Sequence, residues 1–453
     1  MQQTSHASDS ALAHEQKVAR IAHALKSHTN GKPLSLRKKA PPHQVPKAQD
    51  LRRDDHKIDL SDLDQILSID VANRICVAEP GVTYVDLVDA TLKHGLVPII
   101  VPELKTITIG GAVAGCSLES MSFRHGGFHD TCLEYEVITT TGEVLHCTPD
   151  NEHQLVFQMI HGSFGTLGIL TKLTFKLIPA KKYVKMTYEK YTTLAEYQAA
   201  TLRHAKDDTL DYMDGIIHSQ NLYVLSLGRF VDSAPYTHAY DWTRIYWRST
   251  AERSEDYLRT PDYFFRYDRG VTNVRPSSFI MRLLFGKLLG STNILRIANA
   301  MPWILWLDRK NPTMTLDVFL PFSHLPKLFE WYNKEINFYP LWYVPYKKVR
   351  NYEWIADKFL DGVKDEMFCD IAIYGLPPSP TKNYHRLMEA ALRELRGIKT
   401  LIAHNYYTRD EFWFTWNKGN WEAVKAKVDP QNKMRGLYEK TCQAAMGVSE
   451  KAG

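Results

Sequence analysis

Two clusters of glycine in the first half of the chain constrain it more than any other feature. The first lies in VPELKTITIGGAVAGCSLESMSFRHGGFHD, residues 101–130, where Gly110, Gly111 and Gly115 stand among Ala112, Ala114 and Ser117. Missing side chains let a main chain approach a ligand closely, and unpaired N–H groups there can face a diphosphate. Thr106, Thr108 and Ser117 add hydroxyl donors. The second cluster, IHGSFGTLGILTKLTF over residues 160–175, places glycine at 162, 165 and 168 with Ser163 and Thr166 between them. A bare backbone of this kind suits a planar ring or a polyol chain lying against it. Either cluster alone is also what a tight turn between packed strands needs. No G-x-G-x-x-G opens a helix after a strand and no Walker lysine follows the glycines, so neither a Rossmann nor a P-loop site is present.

A chain of 453 residues divides into two or three domains, and 44% apolar with 24% charged residues excludes wholesale disorder. The net charge of +5 fits an anionic ligand or lipid surface but is too diffuse for nucleic acid. Six scattered cysteines without a C-x-x-C pair predict buried thiols in a reducing compartment, with no disulfide framework and no metal site. Residues 1–14 are polar and lack an apolar core, which predicts a disordered lead-in rather than a signal peptide. No window reaches the roughly 18 apolar residues of a membrane-spanning helix. The expected location is cytoplasmic, or peripheral on the inner face of a membrane.

Helical spacing of Val18, Ile21, Ala22 and Leu25 predicts a helix over about 15–27, followed by a basic, proline-bearing loop over 34–47. RICVAEPGVTYVDLVDATLKHGL reads strand, turn, helix, with Thr83 as the cap. From 112 to 177, strand-like runs at 135–140 and 170–177 alternate with glycine turns and a helix over 151–160, an α+β pattern. IPAKKYVKMTYEKY is expected to be the exit strand of this first domain, with a boundary near residue 180. The second half is dense in Tyr, Trp and Phe, and strand-like runs at 211–219, 222–228, 314–320 and 369–374 predict a sheet covered by helices. Residues 275–310 carry Leu283, Leu284, Leu288 and Leu289 interleaved with Arg282 and Lys287, and end on Trp303 and Trp306. Such a stretch is either a membrane-surface segment or a core helix pair.

The order EPGVT, VPELKTITIGGAVAG, EYEVITTTGEVL and GTLGILTKLTFKLIPA resembles the PCMH-type FAD-binding domain of the vanillyl-alcohol oxidase superfamily. TIGGAVAGCSLES, GTLGIL and IPAKKYVK are similar to the sterol Δ24-reductase branch and its bacterial methylene-fatty-acyl reductase relatives. DYMDGIIHS, DYFFRYDRG, FYPLWYVP, YYTRDEFW and DPQNKMRGLYEK extend the likeness over about 30–445. The resemblance implies an α+β chain: a two-subdomain FAD-binding domain over 15–180, an α+β substrate (cap) domain over 181–400, and a C-terminal segment, 401–453, returning to the flavin. It implies FAD contacts at Thr106, Thr108, Ile109, Gly110, Gly111, Ala112, Gly115, Ser117, Glu119, Ser120, Gly165, Thr166 and Gly168, with Gly81 and Pro102 shaping the groove. The superfamily's glycine-rich pyrophosphate loop maps to residues 35–46, which hold no glycine. Arg37, Lys38 and Lys39 there either neutralise phosphate or are solvated charges. His43 lacks a glycine-flanked context, which favours non-covalent FAD.

The activity so implied is reduction of a carbon–carbon double bond in a lipid, with NADPH as electron source and a lipid methyltransferase as a partner in the same pathway. Flavin supplies hydride, and the protein supplies position and a proton. Glu119 and, in NYYTRDEFW, Tyr406, Tyr407, Arg409 and Glu411 are the candidate acids; each also fits a packed phenol or an ion pair of the C-terminal segment. The alternatives are a flavin oxidase or dehydrogenase acting on an alcohol, sugar or acyl chain, and a non-catalytic lipid-binding flavoprotein.

Overall fold

The protein is described here from a computed structural model covering residues 2–446 apart from 30, 46, 48, 49, 242 and 271–312. The segment expected at 275–310 therefore lies outside the described residues. Helix Gln2–Lys26 opens the described residues, so the lead-in expected to be disordered over 1–14 is helical from Gln2 onward. Its anchor is His14, 4% exposed, whose ring lies between Glu79 at 2.8 Å and Glu136 at 2.9 Å. Polar composition alone concealed that a buried histidine ties this helix to the first sheet.

A small parallel pair, β1 (Leu34–Arg37) and β2 (His56–Asp59), precedes two larger sheets. The first sheet contains β3 (Ile66–Asp70), β4 (Ile75–Ala78), β5 (Leu96–Pro98), β6 (Cys132–Ile138), β7 (Val144–Cys147) and β8 (Ile169–Pro179). Its order is β3-β4-β8-β6-β7, with β5 also paired to β8, and all its pairings are antiparallel. The second sheet contains β9 (Tyr183–Tyr191), β10 (Tyr212–Ser219), β11 (Leu222–Val231), β12 (Glu255–Arg259), β13 (Met314–Pro321), β14 (Leu341–Lys347), β15 (Met367–Leu376) and β16 (Ile398–Lys399). It runs β12-β9-β11-β10-β14-β15-β13-β16, antiparallel throughout. IPAKKYVKMTYEKY is thus not one exit strand. It ends β8, turns, and starts β9 of the other sheet.

Strand alternation sets the two faces of the second sheet. Leu316, Val318 and Leu320 of β13, with Cys369, Ile371 and Ile373 of β15, join a core that includes residues of helices Leu194–His204, Leu325–Glu335 and Tyr384–Glu394. The opposite face contributes Val184, Tyr212, Ile216, Trp342, Val344 and Ala372 to a core shared with the first sheet. The chain end comes back to the first sheet, where Val424 and Val428 of helix Lys418–Val428 enter that shared core and Met434 bridges to Leu34. All six cysteines are free. Among the described residues no helix is long and apolar enough to cross a membrane.

Candidate active site

Between the two sheets lies a cavity of about 1210 Å³, larger than the ~300–1,000 Å³ of an ordinary small-molecule site. It has room for a dinucleotide and a second ligand together. One wall is the glycine-rich backbone. Thr108 caps helix Ile109–Gly115, accepting from the Gly111 N–H at 3.3 Å, and Cys116 ends it in a left-handed conformation. Gly110 packs so closely on Pro80 that a Cβ would stand 2.5 Å from the Pro80 Cβ. A Cβ on Gly115 would meet no heavy atom within 4 Å, so this side of the helix is open to the cavity. Gly162, Gly165 and Gly168 all have positive φ, which explains their recurrence at every third position.

The first-turn N–H groups are not free, contrary to the sequence reading. Ile109 donates to the Val82 carbonyl and Gly110 to the Pro80 carbonyl, each at 3.0 Å, while Gly111 is taken by Thr108. The glycines supply a bare surface rather than spare donors. Positive charge comes from Lys38 in the loop after β1, from Arg52 in the turn before β2 and from Lys440 near the chain end. Arg52 is already held by Asp50. Burial, then the charges of Arg52 and Lys38, push the Lys440 ammonium down to about 7. Crowded cations of this kind favour an anion between them.

The facing wall is made of side chains. Thr315, Asp317 and Phe319 of β13, Trp342 of β14, and Asp370 and Tyr374 of β15 line it, with Glu103 arriving from the loop after β5. The Tyr374 hydroxyl donates to Asp317 Oδ1 at 2.6 Å. Burial raises Glu103 to about 8, with Glu119 and Asp317 adding to the effect. Asp317 rises to about 6 through burial, and Asp370 rises well above the carboxylate range through burial and then Asp317, Glu103 and Glu119. Behind Trp342 a second cluster is organised around a buried arginine. Arg266, 2% exposed, donates to Glu119 Oε1 at 2.8 Å and Asp214 Oδ2 at 3.0 Å, and Asp214 also accepts from the Trp342 indole at 3.0 Å. A smaller apolar annex of about 90 Å³ adjoins the cavity through Gly115, Phe164 and Phe319, walled by Tyr346, Trp354, Phe359 and Phe368.

Residues 13–148 match the family described as FAD binding domain. The chain carries an FAD binding domain. That match spans β1 to β7 and includes helix Ile109–Gly115, whereas the second glycine turn and β8 follow it. The chain is 26% identical over 410 residues to the Delta(24)-sterol reductase of Homo sapiens, covering 86% of this chain and 78% of that protein. It is 25% identical over 439 residues to the Delta(24)-sterol reductase of Pisum sativum, covering 86% and 77%. Cytokinin dehydrogenase 7 of Oryza sativa subsp. japonica is 32% identical over 136 residues, but only 29% of this chain and 26% of that protein are covered. The expectation of a PCMH-type FAD-binding oxidoreductase, similar to sterol reductases and α+β in fold, agrees with these findings.

The residues expected to contact FAD divide into two groups. Thr108, Gly110, Gly111, Gly115, Ser117, Gly165 and Gly168 line the cavity, as do Gly81 and Pro102. Ile109 and Ala112 point into the core, Thr166 is buried and donates to the Ser163 carbonyl, and Thr106 stands behind His43, 3.0 Å from its Nε2. Ser120 is buried against the Tyr263 hydroxyl, and Glu119 belongs to the Arg266 cluster. The other acid candidates do not line the cavity. Tyr407 packs with Phe412 and Trp416, the Tyr406 N–H donates to Glu389, and Arg409 is exposed and paired with Glu439 at 2.8 Å. Their structural alternative is the one the geometry supports. Asp317, Asp370 and Glu103 were missed, although MTLDVFLP and FCDIAIY carry a signal. Aspartate is disfavoured in strands, so one in mid-strand facing inward marks a special site.

Proposed function

We propose that this protein reduces a carbon–carbon double bond in a lipid, using FAD and taking electrons from NADPH. The observation that carries this reading is the cavity itself, with bare backbone on one side and buried carboxyl groups and aromatic side chains on the other. Lys38 and Lys440 would hold the flavin diphosphate, and Gly111, Gly115 and Gly165 would leave space for the rest of the cofactor. Reduced flavin, when bound, supplies a hydride. An unactivated alkene has no carbonyl to polarise, so the protein must offer a proton to carbon and stabilise positive charge that develops there. Trp342, Tyr374 and Phe319 bring ring faces to the same wall, which suits that charge. The apolar annex suits the hydrocarbon end of a lipid.

The relatives add weight in the same direction. Likeness to proteins named as sterol reductases extends over both sheets, whereas likeness to a dehydrogenase stops at the length of one domain. That shorter match keeps a flavin dehydrogenase as the second reading. The test is an anaerobic titration of the FAD-loaded protein with NADPH, followed by a Δ24-unsaturated sterol or a phospholipid with a methylene-branched acyl chain. Bleaching of the flavin that either lipid reverses is the expected result. Bleaching reversed by oxygen alone moves the assignment to an oxidase or dehydrogenase.

A further inference from the structure

Three carboxyl groups share the sheet wall of the cavity, and none has a cation of its own among the described residues. Alternation fixes two of them: because Val318 and Ile371 point to the helix layer, Asp317 and Asp370 must point to the cavity. Asp317 is held by Tyr374. Asp370 is 5% exposed, and its Oδ1 has no hydrogen-bond partner among the described residues. Arg266 also acts on Glu103, but its guanidinium is committed to Glu119 and Asp214. Neighbouring carboxyls in a water-poor wall cannot all ionise, so the group keeps a proton at neutral pH. A carboxyl held neutral beside an apolar chamber can give that proton away.

We infer that Asp370 is the general acid of the reduction, and that Glu103 and Asp317 are positioning residues that keep its proton in place. The inference rests on the reductase reading and deepens it. The π bond opens, and one carbon takes the hydride, with its two electrons, from the reduced cofactor. The other carbon takes the proton of the Asp370 carboxyl, which is left as a carboxylate while the flavin is oxidised by two electrons. Solvent then returns a proton to Asp370, with the Asp317–Tyr374 pair beside it. The titratable and charged groups acting on this site are Glu103, Asp317, Glu119, Tyr374 and Arg266.

The experiment compares wild type with Asp370→Asn and Asp317→Asn as full-length, FAD-loaded protein. The visible flavin spectrum and circular dichroism of each variant establish that it folds and holds FAD, and recovery is measured from the fully reduced state. Recovery of the flavin on adding the unsaturated sterol or methylene phospholipid should slow by about 10²–10⁴-fold in Asp370→Asn. In Asp317→Asn recovery persists, but its alkaline limb moves to lower pH, because losing a like charge eases ionisation of Asp370. Recovery at the wild-type rate in Asp370→Asn overturns the assignment. If neither lipid reoxidises the wild type, the reductase reading fails instead, and infrared spectroscopy decides on Asp370. A protonated-carboxyl band at neutral pH that disappears in Asp370→Asn supports it as proton carrier. A band unaffected by the substitution overturns it.

Discussion

Two carboxylate clusters sit on the same face of the second sheet and teach opposite lessons. Glu119 and Asp214 are bound by one buried arginine, which also stacks on Tyr263 at 4.2 Å, and Asp214 fixes the Trp342 indole. Asp317, Asp370 and Glu103, on the other side of Trp342, have no such cation among the described residues. The first cluster is committed to structure through Arg266, tying the segment after helix Ile109–Gly115 to β10. The second keeps a proton, borders open space and is available to react. Burial is common to both. What separates them is whether the charge has been met.

The largest expected effect breaks the paired cluster. Arg266→Met leaves two buried carboxylates uncompensated and should cost about 3–5 kcal/mol, read as a lower midpoint in urea unfolding. Asp370→Asn, in contrast, removes no salt bridge and should leave that midpoint within about 0.5 kcal/mol of wild type. Equal losses in the two variants would erase the distinction between the clusters.

A cluster of opposite sign offers the next test. Lys38 and Lys440 crowd one another at the cavity as the carboxyls do, and an anion would relieve them. Lys440→Met should weaken FAD binding by about 1.5–3 kcal/mol, the range of a hydrogen bond to a charged group. Isothermal titration at rising salt should show the wild type losing affinity faster than the variant. Gly115→Val tests the bare wall by adding bulk where a Cβ meets only open space. It should fold normally yet take up FAD at least about tenfold more weakly.

The smallest effect comes from a third carboxylate pair, met by a cation that can titrate. Burial alone would lower His14, but its hydrogen bonds to Glu136 and Glu79 prevail and raise it to about 8. A folded pKa above the ordinary histidine value means the contribution is complete below about pH 6.5 and fades as pH rises through about 8. The melting temperature should therefore fall by a few degrees between pH 6.5 and 9 in wild type and less in His14→Ala.

Much of this architecture was legible because local rules acted alone. Thr83 caps helix Tyr84–Leu92, and the runs at 211–219, 222–228, 314–320 and 369–374 are strands β10, β11, β13 and β15. The glycines at 110, 111, 115, 165 and 168 do line one cavity. What escaped depends on contacts between distant segments. His14 meets Glu79 and Glu136, Lys440 meets the loop that holds Lys38, and Asp317 meets Tyr374 only once β13 and β15 pair. Tyr406, Tyr407 and Arg409 looked chemical by type, but their surroundings are a packed core and a surface ion pair.

The most direct test of the account is a crystal structure of the FAD-loaded protein. The account predicts the flavin ring inside the cavity, backed by Gly115 and Gly165 and facing Asp370 and Trp342, with its diphosphate at Lys38 and Lys440. A flavin ring outside that space, or turned away from the Asp370 wall, would contradict it.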